Sequence, residues 1–123
     1  MKKLYLTTLT AICMMSGMSL LKANNTIMFT NNSPDILSIH LKAKHKKAGQ
    51  TRHDEDTLTV PASNTATWGY NGDIEFIDIT DTVNGKHTHL VQSLGYNTVI
   101  ASDYSISTIS SDGQKNTTGW KLE

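Results

Sequence analysis

The sequence predicts an all-β fold: a single-domain antiparallel β-sandwich, or partly open barrel, of about seven to nine short strands. Runs rich in Ile, Val, Thr and aromatic residues recur along residues 24–123. Gly, Asn, Asp and Pro separate these runs, and no stretch keeps the apolar period of an amphipathic helix. Because no linker, repeat or low-complexity tract interrupts the region, we expect one domain over residues 24–123.

A predicted signal peptide, residues 1–23, precedes this domain. Lys2 and Lys3 form a short positive start of the kind found in bacterial leaders, and Leu4 begins an apolar run of about 18 residues. The segment ends at Ala23, a small residue suited to cleavage. Polar residues interrupt the apolar run, which favours cleavage over anchoring. We therefore expect an exported domain, periplasmic or secreted, without a transmembrane segment.

Removal of the signal peptide changes the composition. It takes away Cys13, the only cysteine, so the exported domain has neither a disulfide nor a thiol nucleophile. Three of the 11 basic residues leave with it and all 11 acidic residues stay, which gives a formal net charge of −3. An acidic domain is poorly matched to duplex nucleic acid, because binding there depends on neutralising phosphates. All five histidines remain, so the charge of the domain rises between pH 7 and pH 5.

The strands follow from the apolar runs and the turns between them. They are predicted near residues 26–31, 36–45, 57–61, 65–70, 73–80, 86–94, 97–102, 104–110 and 116–122. The second strand alternates between apolar and polar residues, so one face is predicted to be core and the other wet. Its apolar residues are Leu37, Ile39, Leu41 and Ala43. Residues 46–56 are predicted to form a loop.

Two Asn-Gly pairs predict a meander in the middle of the chain. Asn71-Gly72 and Asn84-Gly85 each fit a two-residue hairpin, because both central positions of a type I′ turn need positive φ. Counting back from these turns places Ala66 opposite Ile77 and Ile79 opposite Leu90. A shared inner face containing Ala66, Trp68, Ile77 and Ile79 follows from this register.

The last hairpin is predicted to have a three-residue loop. A two-residue loop at Asp112-Gly113 breaks the match between apolar residues on the two strands. A longer loop through Gln114 restores it, because Ile106 then pairs with Trp120 and Tyr104 pairs with Leu122.

An apolar patch is predicted on the outer face of the meander. Ile74, Phe76 and Val91 point away from the core in this register, where a sandwich normally carries polar residues. The patch is a candidate binding surface. Two alternatives remain open: the 46–56 connection covers it, or a bulge at Phe76-Ile77 turns Phe76 inward.

A basic run is the second candidate binding feature. It comprises His40, Lys42 and Lys44 on one face of a strand, followed by Lys46, Lys47 and Arg52. Such a run suits an acidic protein, an acidic glycan or an anionic lipid surface. The alternative is that strand lysines guard a sheet edge against aggregation. The acidic residues 54–56 that follow are interpreted as part of a solvated charged loop.

His87-Thr88-His89 is the most specific chemical motif. On a strand these two histidines share one face, so both imidazoles can lean onto one metal ion. Asp78 is the nearest predicted third ligand, and His40 can contribute only if its strand is adjacent. Zinc or copper suits this set of ligands. The alternative is a pair of solvated histidines near a turn.

The leading hypothesis is a small, exported, non-catalytic binding module that uses the outer sheet face and the adjacent basic strand and loop. One alternative is a periplasmic or extracellular protein that binds zinc or copper through His-x-His. A hydrolase with a spatially assembled Ser-His-Asp site is a further alternative. No catalytic residue is assigned, since the domain lacks a G-x-S-x-G elbow, a phosphate-binding glycine loop and H-E-x-x-H.

Overall fold

The computed structural model describes residues 25–91 and 95–123, and this part of the chain is all-β, without a helix. The predicted signal peptide and residues 92–94 lie outside the described residues. The strands described are β1 (Asn25–Asn31), β2 (Leu37–Lys47), β3 (Gln50–Val60), β4 (Asn64–Tyr70), β5 (Asp73–Asp81), β6 (His87–Leu90), β7 (Asn97–Ile100), β8 (Ser105–Ile109) and β9 (Lys115–Lys121). Within the described ranges, no helix has the length and apolar character needed to cross a membrane.

The strands form two sheets that pack as a sandwich. The five-stranded sheet has the order β4-β1-β7-β8-β9, and the four-stranded sheet has the order β3-β2-β5-β6. Neighbouring strands are antiparallel except β1 and β7, which run parallel. The prediction of an antiparallel sandwich is therefore wrong for this one pair, because β1 enters the five-stranded sheet beside a strand that lies far from it in the sequence.

The core lies between the sheets and follows from alternation along the strands. The predicted inner residues of β2 are fully buried, which confirms its core face. Trp68 of β4, and Ile77 and Ile79 of β5, are buried with them, and Ala66 packs against the same core. Leu122, next to the C-terminus, is also buried, so apolar residues from both ends of the described chain contribute to one core.

Residues 50–56 belong to β3, so the prediction of a 46–56 loop is wrong. β2 and β3 pair along their whole length, from Leu37 opposite Val60 to Lys47 opposite Gln50. Ala48 and Gly49 turn the chain with φ values of 54° and 78°, as a two-residue type I′ turn requires. β3 escapes sequence prediction because it is an edge strand whose first half covers no core, so its residues do not alternate in polarity.

The Asn71-Gly72 turn joins the two sheets instead of two paired strands, so the predicted β4–β5 hairpin is wrong. β4 pairs with β1, and β5 pairs with β2 and β6. Gly72 has φ +79°, and a Cβ at this position would stand 2.0 Å from the backbone oxygen of Lys44. Gly72 has the predicted positive φ but Asn71 does not, so the type I′ conformation predicted for this pair is also wrong.

The β5–β6 hairpin forms with a register two residues away from the predicted one. Leu90 lies opposite Ile77, whereas two-residue turn counting predicts Ile79. The difference arises because Asp81 closes a longer loop: its Oδ1 accepts the backbone N–H groups of Val83 (2.8 Å) and Asn84 (3.2 Å). A shift by two residues leaves every side chain on its predicted face.

The last hairpin confirms both predicted pairs. Ile106 lies opposite Trp120, and the N–H of Leu122 donates to the oxygen of Tyr104 at 3.0 Å. Gly113 has φ +88° in the loop, as expected for the left-handed position. The loop itself differs from the prediction by one residue: Ile109 lies opposite Lys115 and the N–H of Ser110 donates to the oxygen of Gln114 at 2.9 Å, so residues 111–113 form it and Gln114 does not. An irregularity in β9, where Gly119 has φ +82°, then brings Trp120 into register.

Candidate outer-face binding site

One surface of the four-stranded sheet gathers most of the ionisable side chains singled out by the sequence. Residues directly opposite in neighbouring strands point to the same side, so the faces follow from the buried residues of β2. We call the solvent side the outer face; its central members are His40, Lys42, Lys44, His53, Glu55, Glu75, Phe76, Asp78, His87 and His89. Four of the five histidines therefore lie on this one surface.

His40, Asp78 and His89 lie directly opposite one another on the three neighbouring strands β2, β5 and β6. The Nδ1 of His89 contacts Oδ1 of Asp78. The Nδ1 of His40 lies 4.0 Å from Oδ2 of the same carboxylate. On its other side, the Nε2 of His40 lies 3.1 Å from Oε2 of Glu55. Two imidazoles thus flank one carboxylate, and a second carboxylate holds the outer side of one of them.

Phe76 is the apolar component of this surface. Its ring lies 5.2 Å from the ring of His40 and 5.5 Å from that of His89, measured between centroids. Phe76 lies opposite Lys42 on the outer face and its ring is half-buried, so the alternative in which a bulge turns Phe76 inward is wrong. It is covered by the two imidazoles, and not by the β2–β3 connection.

Ile74, a second member of the predicted apolar patch, separates from Phe76. The β2–β5 register shifts beyond Lys42, so that Phe76 faces Lys42 and Ile74 faces Ala43. Glu75 is the extra residue of this bulge, and Ile74 packs against the core. The prediction that Ile74 points outward is wrong, because strict counting along β5 omits the bulge. Val91 is 71% exposed at the end of β6.

The β2–β3 hairpin carries the basic residues to its tip. Beyond the pair of Lys44 with Asp73, its strands pair only with each other. Lys44, Lys46, Lys47 and Arg52 are exposed. No carboxylate in the described chain lies within ion-pair distance of these four cations, whereas the Nζ of Lys42 lies 3.9 Å from Oε2 of Glu75. We call residues 44–52 the hairpin tip.

Lys42 and Lys44 of β2 do not guard a sheet edge. β2 lies between β3 and β5, so both of its hydrogen-bonding sides are occupied. The alternative of edge protection is therefore wrong for Lys42 and Lys44, since that device needs a strand with a free side. It applies to Lys46 and Lys47, where β2 pairs only with β3, and to Arg52 on the edge strand β3.

The acidic residues 54–56 are also part of β3 and serve both sides of it. Glu55 is on the outer face with His40. Asp54 is on the other side, where its Oδ2 accepts the backbone N–H of Asn71 at 3.1 Å and lies 3.9 Å from Nδ1 of His45. Glu55 and Asp54 therefore contact elements beside β3, and the prediction of a solvated loop is wrong because residues 54–56 are part of a strand.

The predicted metal ligands come together only in part. Asp78 contacts His89, but His87 lies opposite Thr80, one step along the strand from that contact. As the side chains stand, the described residues contain no group of three or more His, Cys, Asp or Glu positioned around a common metal point. His40, which the sequence admits only if its strand is adjacent, is adjacent and faces Asp78.

A second ionisable cluster escaped sequence prediction. Asp35, Asp81 and Tyr104 meet at one end of the sandwich, with the Tyr104 hydroxyl donating to Oδ2 of Asp35 at 3.1 Å. Tyr104 has φ +67°, a left-handed conformation that tyrosine seldom adopts. The Nζ of Lys86 lies 5.5 Å from the centre of its ring. Asp35 and Tyr104 lie in separate connections and Asp81 ends β5, so no local spacing in the sequence predicts the cluster.

The two carboxyl groups of this cluster have pKa values displaced in opposite directions. A hydrogen bond with Asp81, followed by burial, raises the pKa of Asp35. Burial by itself raises the pKa of Asp81, but hydrogen bonds from the Val83 backbone, from Asp35 and from the Asn84 backbone lower it overall. Burial and the hydrogen bond to Asp35 raise the pKa of Tyr104. One proton shared between the two carboxyl groups explains both directions.

The hydrogen bonds among the described residues include no serine hydroxyl bound to a histidine, so no observation favours the hydrolase alternative. Comparison of the chain with protein-family models, curated proteins and solved structures gives no match. Function is therefore inferred from the chemistry of the outer face and the hairpin tip.

Proposed function

We propose that this chain is a small, exported, non-catalytic binding module that holds an acidic glycan against the hairpin tip and the adjoining outer face. The observation that carries the proposal is the set of four exposed cations, Lys44, Lys46, Lys47 and Arg52, which have no carboxylate partner among the described residues. Unpaired cations on a surface raise the local concentration of anionic ligands and speed their association.

The distribution of charge supports this proposal. Residues 24–123 have a formal net charge of −3, yet the β2–β3 hairpin holds five of their eight basic residues. Positive charge is therefore concentrated on a domain that is acidic as a whole. An anionic ligand is repelled elsewhere and attracted here, which favours one orientation of binding.

The spacing of the cations suits a polymer with repeated charges. Lys42, Lys44 and Lys46 alternate along the outer side of β2, so neighbouring members stand about 6.6 Å apart along the strand. Carboxylate or sulfate groups repeated along a glycan can engage such a row one after another. β3 pairs with β2 along its whole length and β5 pairs with it as far as Lys44, so binding has to impose little order on this part of the strand.

A glycan is favoured over a lipid surface by the residues of the turn. Ala48, Gly49 and Gln50 provide no large apolar or aromatic side chain at the tip. Segments that lie in a membrane interface bury Trp, Phe or Leu beside their cations. The hairpin tip therefore has the charge for an anionic ligand without the apolar anchor for a bilayer.

The experiment is a calorimetric titration of the purified protein with a sulfated, uronic-acid-containing oligosaccharide. We expect Lys46→Gln, Lys47→Gln and Arg52→Gln together to weaken binding at least about tenfold, since each cation near an anionic surface contributes about 1 kcal/mol and 1.4 kcal/mol is tenfold. The matched control changes Lys86, Lys115 and Lys121 to Gln and should leave the affinity within about threefold. Equal weakening by both triple variants would contradict the proposal, as would binding to phosphatidylglycerol vesicles without binding to the glycan.

A further inference from the structure

We propose that the outer face also contains a binding site for a divalent transition metal of the zinc class. Its ligands are Nδ1 of His40, Nδ1 of His89 and the carboxylate of Asp78. Glu55 is a positioning residue for His40. This site goes beyond the glycan surface and does not depend on it, because none of its ligands belongs to the hairpin tip.

The first argument is the placement of the three ligands. They occupy one row across β2, β5 and β6, with Asp78 in the middle. Neighbouring strands are about 4.8 Å apart, so the two histidines flank the carboxylate from both sides. Both contacts with Asp78 are made through Nδ1: His89 touches Oδ1, and His40 lies 4.0 Å from Oδ2. The same nitrogen of each ring therefore faces the same carboxylate. In the absence of metal, Nδ1 of a neutral His89 carries the proton that it donates to Asp78, and metal binding releases this proton.

The second argument is the hydrogen bond between His40 and Glu55. The carboxylate of Glu55 accepts a hydrogen bond only from a protonated nitrogen, so the 3.1 Å contact assigns the proton of a neutral His40 to Nε2. Nδ1, on the side of Asp78, then carries the lone pair. Metal-binding histidines usually donate their other ring nitrogen to a carboxylate in this way, which fixes the ring and raises its basicity.

The third argument is the packing and access of the rings. Phe76 lies against both imidazoles, at 5.2 Å and 5.5 Å, and restricts their orientation. Coordination requires side-chain rotations, because ligands held at about 2.0–2.1 Å around a tetrahedral ion stand about 3.3 Å apart, whereas Nδ1 of His40 lies 4.0 Å from Oδ2 of Asp78. The side chains of His40, Asp78 and His89 are 41%, 35% and 54% exposed. Water can therefore occupy a fourth position.

The charged groups around this row are compatible with a cation. Glu55 and Glu75 add negative charge on the same face, and Lys42 is drawn towards Glu75 at 3.9 Å. His53 also faces Glu75, at 3.5 Å. His87 lies one pair further along, opposite Thr80, and is left outside the proposed ligand set.

The test is calorimetric titration of the purified protein with ZnCl₂, with the visible spectrum of added Co²⁺ as a report on the ligands. We expect one equivalent of metal. His40→Ala, His89→Ala and Asp78→Asn should each abolish binding or weaken it at least about tenfold. The matched control is His87→Ala, on the same strand and face, which should bind zinc with unchanged affinity. Thermal unfolding of each variant checks that it is folded.

Glu55 has a separate test. Glu55→Ala should weaken zinc binding by about 10-fold to 100-fold, and Glu55→Gln, which keeps a hydrogen-bond acceptor, should restore part of the loss while the unfolding temperature stays the same. The proposal is overturned if wild-type protein binds no zinc, or if His87→Ala abolishes binding and His40→Ala does not. Zinc binding by the triple variant of the hairpin tip should be normal, so the two proposals fail independently.

Discussion

The carboxyl groups of Asp35 and Asp81 displace each other's pKa in opposite directions: the pKa of Asp35 is raised and that of Asp81 is lowered. Asp81 is fully buried, and its Oδ2 has no hydrogen-bond partner within the described part of the chain. One proton shared between the two carboxyl groups accounts for both directions and would supply that partner. It would connect the segment before β2 to the end of β5.

This shared proton predicts how stability depends on pH. Because the folded pKa of Asp35 is raised, its stabilising contribution is present below the usual aspartate range and is lost as pH rises through the raised value. Asp35→Asn keeps an N–H donor for Asp81 at every pH. We expect this variant to gain in unfolding temperature relative to wild type between pH 4 and pH 8.

The control for this prediction is Asp73→Asn, which removes an exposed carboxyl group at the start of β5. Its difference from wild type should change little over the same pH range. A fall in the stability of Asp35→Asn relative to wild type on raising the pH would contradict the shared proton. Asp81, whose pKa is lowered, should show the opposite trend: its contribution is present above the usual aspartate range and is lost as pH falls through the lowered value.

Gly72 and Gly85 have nearly the same φ, +79° and +77°, but different surroundings. At Gly85 a Cβ meets nothing within 4 Å, so Gly85→Ala should cost only the left-handed backbone penalty of roughly 1–2 kcal/mol. At Gly72 the Cβ would stand 2.0 Å from a backbone oxygen, so Gly72→Ala should cost more than about 4 kcal/mol. Urea denaturation measures both. Similar costs would show that Gly72 does not lie against the Lys44 backbone as described.

Trp68 is buried and stacks on Tyr70, with ring centroids 5.1 Å apart. Trp68→Ala should therefore cost about 3–5 kcal/mol in the free energy of unfolding, measured by chemical denaturation. Trp120, which is only partly buried at the edge of the same core, provides the comparison and should cost less when changed to Ala. A Trp68→Ala variant as stable as wild type would show that this side chain is not part of the core.

The sequence predicts the direction of side chains better than the partners of strands. Alternation along β2 is sufficient to place its inner residues in the core, because the two-residue period decides the face wherever one face is buried. The same pattern at Trp68 does not say which sheet contains β4, since an inward side chain meets the same core from either sheet. The wrong prediction of a β4–β5 hairpin follows from that ambiguity, because an Asn-Gly pair fits both a hairpin turn and a turn that connects one sheet to the other.

For the candidate site too, the sequence predicts the face of a side chain better than its strand neighbours. Counting from the Asn84-Gly85 turn places His89 near Asp78 although the predicted register differs from the observed one by two residues, because a shift of two residues leaves each side chain on the same face. His40 requires the pairing of β2 with β5, which no local signal in the sequence specifies. The bulge at Glu75 and the contact of Asp35 with Asp81 depend on tertiary packing. Neither could be inferred from spacing.

Backbone NMR shift mapping with the sulfated oligosaccharide tests the central claim most directly. The proposal predicts that the largest changes fall at the hairpin tip, residues 44–52, and continue along the outer face to His40 and Glu55. Strands of the five-stranded sheet should change little. Shifts concentrated on that sheet, or no shifts at a saturating concentration of the glycan, would contradict the assignment of the outer face as the ligand surface.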